Sequence, residues 1–361
     1  MPASHARHRQ QIEDILSAWG MPPLNAARTA EVMAWSDLCG IDSHGISMLT
    51  VYDRHRRNGR MDMRAQPRIE REGPVHALID GGGGLGHVPS RLAMETAISK
   101  ARDIGMAVVA VHNSAHFGAC GFYTLMAAEA GLIGMVTTSA SLIQVAPAGG
   151  AKARFGTDPI SFAAPGAEGR PFLLDMATTT VAAGRIRNKE NEGLPCPPGW
   201  VLDAQGQPST DPTVARDKGG SLTSLGGSLE GSSYKGYGLA AMVNILAAGL
   251  SGATFPTDPQ HTRKPRGMDI GHVFIAIDPG LFRPAAEFRD EVAAFCDALR
   301  DTPPADPAQP VMVAGDPERR NARDRATNGI PVAPNLRARI REIAEAAGVP
   351  WLLDDDTPAP A

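Results

Sequence analysis

Along the N-terminal segment, apolar residues recur at intervals of three and four, the period of a helix. Ile12, Ile15, Leu16 and Trp19 form one such stripe and predict a helix over 11–19. A second helix is expected over 26–38, with Asn25 as N-cap and Gly40 as the stop. A third would open at Asp42, Ser43, His44 and Gly45, with Asp42 or Ser43 as cap, and carry Ile46, Leu49 and Tyr52 inward before Gly59. The pattern then changes to short apolar runs between turns. VHALID (75–80), AVVAV (107–111) and HVFIAID (272–278) read as strands, as do 134–138, 159–164 and 172–175. VMVAG (311–315) is strand-like. Helices are expected over 88–104, 237–250, 285–300 and 335–347.

Residues 190–233 are rich in Gly, Pro and Ser and carry little periodicity, which predicts a functional or flexible loop. No internal repeat is visible. The organisation expected is a helical part over 1–72 joined by 320–350, a sheet-containing part over 73–319, and a disordered tail over 351–361 that ends in DDDTPAPA.

Composition narrows the function classes. The 361 residues suffice for two domains, and an apolar fraction of 43% can fill a core. A net charge of −4 argues against a nucleic-acid partner. Cys39, Cys120, Cys196 and Cys296 are scattered, which fits a reduced compartment better than a disulfide framework or zinc site. The start lacks an apolar signal region, and the longest apolar run, 239–250, contains Asn244 and is too short to span a bilayer. A cytoplasmic protein without a membrane partner is the expectation.

Candidate chemistry concentrates in AVVAVHNSAHFG (107–118), where a buried strand breaks into polar side chains and an imidazole. His116 is either a packed core histidine or a group facing substrate. His44, expected in the first turn of a helix, is either partly exposed or a neutral ring kept unprotonated by the macrodipole. His112 and His116 are four apart, a spacing that would suit a metal on a helix, but the preceding strand and the missing third ligand argue against one. Gly81, Gly83 and Gly86 satisfy a dinucleotide fingerprint between a strand and a helix. The following strand, however, ends in VHNSAH where a ribose-binding acid belongs, so a tight turn is the better reading. The hydroxyls after Asp175, the Lys235-Gly236 helix start and the acidic turn from Gly315 to Glu318 could each receive phosphate or ribose, or serve only as caps and turns.

Taken in order, GIDSHG, HNSAHFG, AAEAGLIGM, GTDP, LDMATT, YKGYGLA and GHVFIAID resemble the malate/L-lactate dehydrogenase family of the non-Rossmann type. The resemblance implies an α/β protein of the α+β kind, with a largely antiparallel mixed sheet flanked by helices and a helical domain. It implies hydride transfer between NAD or NADP and a 2-hydroxy or 2-oxo acid, with cyclic-imine reduction as the alternative activity within the family and a non-catalytic small-molecule binding protein as the alternative outside it. A homodimer without a catalytic metal is also implied. By motif position His116, His44 and Ser43 fall on substrate and proton-transfer positions, with His116 favoured for the proton. Leu174, Asp175, Met176, Ala177, Thr178, Lys235, Gly236, Gly315 and Glu318 fall on cofactor positions. Met48 stands where many members carry a carboxylate-binding arginine, and Asp158 where the usual motif has asparagine.

Overall fold

The protein is described from a computed structural model covering residues 2–140, 142–257 and 267–354. Three helices open the chain: α1 (His5–Ala18), α2 (Pro23–Leu38) and α3 (Leu49–Arg57). Then come β1 (Arg68–Gly73), β2 (His76–Asp80), α4 (His87–Ile104), β3 (Met106–Ser114), α5 (Cys120–Glu129), β4 (Ile133–Thr138), β5 (Ile160–Ala167) and β6 (Arg170–Met176). An excursion follows, with α6 (Ala183–Asn191), β7 (Val201–Leu202), β8 (Pro208–Ser209), α7 (Val214–Asp217) and β9 (Ser221–Leu222). The chain continues through α8 (Tyr234–Asn244), β10 (Ile270–Ile277), α9 (Ala285–Arg300), α10 (Asp316–Asn328) and α11 (Pro334–Ala346).

Among the described residues, seven strands form one sheet in the order β1-β2-β3-β10-β4-β5-β6. Only β2 and β3 pair in parallel, because α4 carries the chain across between them. The late strand β10 inserts antiparallel to both β3 and β4. The sheet is therefore mixed and largely antiparallel, as the motif resemblance implied. Ala93, Ala97 and Ala101 let α4 lie close against Val109, Val111 and Phe274, all buried. A second apolar cluster joins Ile12, Ile15 and Leu16 of α1, Leu49 and Tyr52 of α3, and Ile340 and Ala344 of α11. The C-terminal helix thus packs back into the N-terminal helical block.

Several elements differ from expectation for physical reasons. Helix α2 starts earlier, at Pro23, where the fixed proline φ suits a first helical residue, so Asn25 lies inside the helix and caps nothing. The third helix starts later, because residues 42–45 form a turn and a 3-10 turn over Ile46–Met48 precedes α3. Strand β3 runs on through His112 and Asn113 to Ser114. VMVAG forms no strand; Asp316 Oδ2 accepts the Val313 N–H at 2.8 Å, and Gly315 at φ +94° turns the chain into α10. Strand β1 and helices α5 and α10 escaped detection. β1 is almost wholly exposed, α5 is apolar nearly all round and α10 has no buried residue, so none shows amphipathic alternation. Of the expected tail, Trp351 lies 5.0 Å from the Arg341 guanidinium and Leu353 is buried, while 355–361 lie outside the described residues.

Candidate active site

The site is built where the helical block meets the sheet. After α2, Gly40 takes φ +83° and the Ile41 N–H returns to Ser36 O at 2.8 Å, reversing the chain. Buried Asp37 then organises the next turn. Its Oδ2 accepts the Ile46 N–H and pairs with His8 Nε2, both at 2.6 Å. A Cβ on Gly45 would fall 1.9 Å from Asp37 Oδ1, so the turn closes only with glycine there. Arg325 of α10 adds bonds to the Asp42 carboxylate and the Asp37 carbonyl. Asp37, His8 and Arg325 carried no motif signal, and only tertiary packing brings them together.

That turn presents Ser43 and His44. His44 is half-buried and outside the first turn of any helix, so the expected macrodipole effect does not govern it. Burial does, pushing its pKa down to about 4. Ser43 Oγ lies 2.8 Å from His44 Nδ1.

His116 comes from the loop between β3 and α5. Gly86 donates its N–H to His116 O at 3.0 Å, and a Cβ on Gly86 would fall 2.3 Å from Ala115 O. The glycine run therefore braces this loop by close backbone approach, in keeping with the turn reading. Phe117 stacks on the His272 ring at 4.5 Å, and His272 is held by Thr138 Oγ1 at 2.6 Å and Ser114 Oγ at 2.9 Å.

The two histidines meet. Their ring centroids are 5.3 Å apart at 29°, a stacked pair. Burial, then the neighbouring rings of His44, His87 and His272, holds the His116 pKa well below its ordinary value. Neither Nε2 has a protein hydrogen bond among the described residues, and neither is sealed from solvent. Tyr52 of α3, which sequence reasoning treated only as a core residue, places its hydroxyl 2.7 Å from His116 Nδ1. His112 is spent elsewhere, 2.8 Å from Glu70 Oε2. Among the described residues no group of three or more His, Cys, Asp or Glu could hold a metal ion.

The expected cofactor positions fall in three places: the end of β6, the turn before α10 and the start of α8. Asp175 Oδ2 accepts the Gly121 N–H at 2.7 Å at the start of α5, four residues after Phe117. Asp175 is itself exposed, and the Glu318 carboxylate lies near enough to repel its charge. Leu173 is tied to Ala314 O, and a cleft of about 540 Å³ opens beside Leu173, Gly315, Glu318 and Arg319. Before α8, the Leu225 N–H donates to Thr178 O, and a Cβ on Gly236 would fall 2.4 Å from Leu225 N. Lys235 stands exposed in the first turn of α8, without an ion pair among the described residues. Thr178 is buried, with its N–H and hydroxyl both donated to Thr157 O. Asp158 points inward at φ +35° and accepts the Ala140 and Gly156 N–H groups, out of reach of a ribose. Met48 is half-buried against the helical-block core.

The family model described as malate/L-lactate dehydrogenase matches residues 3–341. The chain belongs to the malate/L-lactate dehydrogenase family. Within that family it is 36% identical to the malate dehydrogenase of Pyrococcus horikoshii over 94% of both chains. It is 30% identical to a ureidoglycolate dehydrogenase (NAD(+)) of Escherichia coli O157:H7, over 93% of this chain and 94% of the relative. The solved malate dehydrogenase of Entamoeba histolytica superposes with a TM-score of 0.90 at 31% identity, covering 97% of this chain and 99% of that one. A family of this kind makes the protein an oxidoreductase of the 2-hydroxy-acid class. No helix among the described residues is long and apolar enough to cross a membrane.

Proposed function

We propose that this protein transfers hydride between NAD or NADP and a small 2-hydroxy or 2-oxo acid, with a histidine handling the oxygen-bound proton. The observation that carries the reading is the stacked pair His44 and His116, both shifted toward the neutral form, each with an open Nε2. In oxidation the C2–H bond breaks with loss of hydride, and the hydroxyl proton goes to a ring nitrogen. In reduction that nitrogen must arrive protonated, a form that burial disfavours in both rings, so the pair is poised to accept a proton and favours the oxidation direction near neutral pH. Ser43 orients His44 or the substrate oxygen.

The nicotinamide ring, when bound, supplies the hydride acceptor or donor. The residues present fit such a cofactor. Exposed Lys235, without an ion pair among the described residues, stands in the first turn of α8 where it suits a phosphate, and Gly236 lets that turn pack closely on Leu225. Lys235, Gly236, Leu174, Asp175, Met176, Ala177, Thr178, Gly315 and Glu318 would hold it. A cytoplasmic homodimer completes the proposal. Ile245 and Leu250, just beyond α8, are 63% and 59% exposed and give a second copy an apolar face to cover.

The test is nicotinamide absorbance with pyruvate, oxaloacetate, sulfopyruvate, ureidoglycolate and the two cyclic imines piperideine- and pyrroline-carboxylate, using NADH and NADPH separately. Turnover of a 2-oxo or 2-hydroxy acid is expected. Turnover confined to the cyclic imines would make the protein an imine reductase, and cofactor binding without turnover a binding protein.

A further inference from the structure

We propose that Tyr52 is a positioning residue that fixes His116 in the tautomer carrying its proton on Nε2. Tyr52 is fully buried, and His116 Nδ1, at 2.7 Å, is the only hydrogen-bond partner of its hydroxyl among the described residues. If that hydroxyl accepted an Nδ1–H, its own proton would be sealed away with no acceptor, a costly arrangement. Donating to Nδ1 satisfies it. The Gly118 N–H points at the same nitrogen, 3.4 Å away. Two donors aimed at one ring nitrogen require a lone pair there, and a neutral imidazole then holds its single proton on Nε2. Burial also pushes the Tyr52 phenol far above its ordinary range, so it stays a donor.

The consequence concerns how the two histidines divide their work. With its proton on Nε2, His116 offers the substrate an N–H rather than a lone pair. It polarises a 2-oxo oxygen by hydrogen bonding and cannot take a hydroxyl proton at that atom. Proton transfer then falls to His44, whose Nδ1 faces the Ser43 hydroxyl, a group able to donate or accept. This departs from the motif-based preference for His116 as the proton carrier. The catalytic meaning rests on the proposed dehydrogenase function, whereas the tautomer does not.

The experiment is a long-range proton–nitrogen NMR spectrum of the full chain labelled with nitrogen-15 histidine, the His116 signals being assigned by their loss in His116→Asn. Wild type is expected to show His116 protonated on Nε2. Tyr52→Phe keeps the ring and the packing, and is expected to mix the two tautomers. It should also lower turnover about tenfold, the effect of one lost hydrogen bond, with cofactor affinity unchanged. A wild-type His116 protonated on Nδ1 would overturn the proposal without any variant. So would a Tyr52→Phe protein whose tautomer and turnover match wild type. If the tautomer is as expected but no hydroxy or oxo acid reacts, the dehydrogenase reading fails and the role of Tyr52 stands.

Discussion

His87 offers the sharpest test of the electrostatics around the site. It is fully buried on α4, its Nε2 is 3.0 Å from where a Cβ on Gly118 would lie, and neither ring nitrogen has a hydrogen-bond partner among the described residues. Burial, then the His44 and His272 rings, lowers its pKa from 6.5 to about 3. A histidine held below its unfolded value makes the unfolded chain the better proton binder. Its stabilising effect is therefore complete above about pH 6.5 and is lost progressively as pH falls toward the folded value near 3. About 1.5 units separate 6.5 from pH 5, so at pH 5 the ring costs about 2 kcal/mol. His272, buried and likewise shifted to about 3, adds a similar amount. Replacing His87 with leucine removes one of these protons and no hydrogen bond. Urea unfolding of wild type and His87→Leu, followed by tryptophan fluorescence from about pH 7.5 to about pH 5, reads its share together with the relief that losing this ring gives His116. The difference in stability should grow by about 1.4 kcal/mol per pH unit below about 6.5, in favour of the variant. Parallel pH profiles would show that His87 gains its proton in the native state and would refute the argument.

Three further outcomes follow from the geometry. His44→Ala should lower turnover ~10²–10⁴-fold as the loss of the proton carrier, and His116→Ala ~10²–10³-fold as the loss of a donor to the substrate oxygen, with nicotinamide binding retained in both, measured by steady-state kinetics and cofactor fluorescence; near-normal turnover in either variant would remove that histidine from the site. Asp37→Ala strands the Ile46 N–H and His8, so urea unfolding should show a loss of about 3–5 kcal/mol, and a loss under about 1 kcal/mol would mean that the turn holds without this pair. Gly236→Ala brings a methyl to 2.4 Å from Leu225 N and should shift the start of α8, raising the cofactor Kd by about tenfold in a fluorescence titration; an unchanged Kd would remove this segment from the proposed cofactor site.

The elements legible in the sequence were those with one buried and one exposed side, or those buried as short valine- and isoleucine-rich runs. Helices α1, α4, α9 and α11 and strands β2, β3, β4 and β10 fall in this group. Elements uniform around their axis gave no period to read: α5 is apolar nearly all round and α10 polar nearly all round. The candidate site divides similarly. Ser43, His44 and His116 stand in compact local motifs. Tyr52 had already been assigned to the core by its periodicity, and nothing local separates a tyrosine that only packs from one whose hydroxyl meets an imidazole 64 residues away.

The sequence by itself determined the family, the alternation of helices and strands that yields an α+β chain, and the residue types available for proton and hydride chemistry. Local spacing carries that information, because side chains close in sequence share faces whatever the remainder does. Only the tertiary structure decided which histidines meet. Insertion of β10 between β3 and β4 puts His272 beneath the loop that carries His116, and Asp37 folds the following turn so that His44 stacks on that ring. Low-dielectric surroundings then shift both rings toward the neutral form, an effect of what packs around a residue and not of its neighbours in the chain.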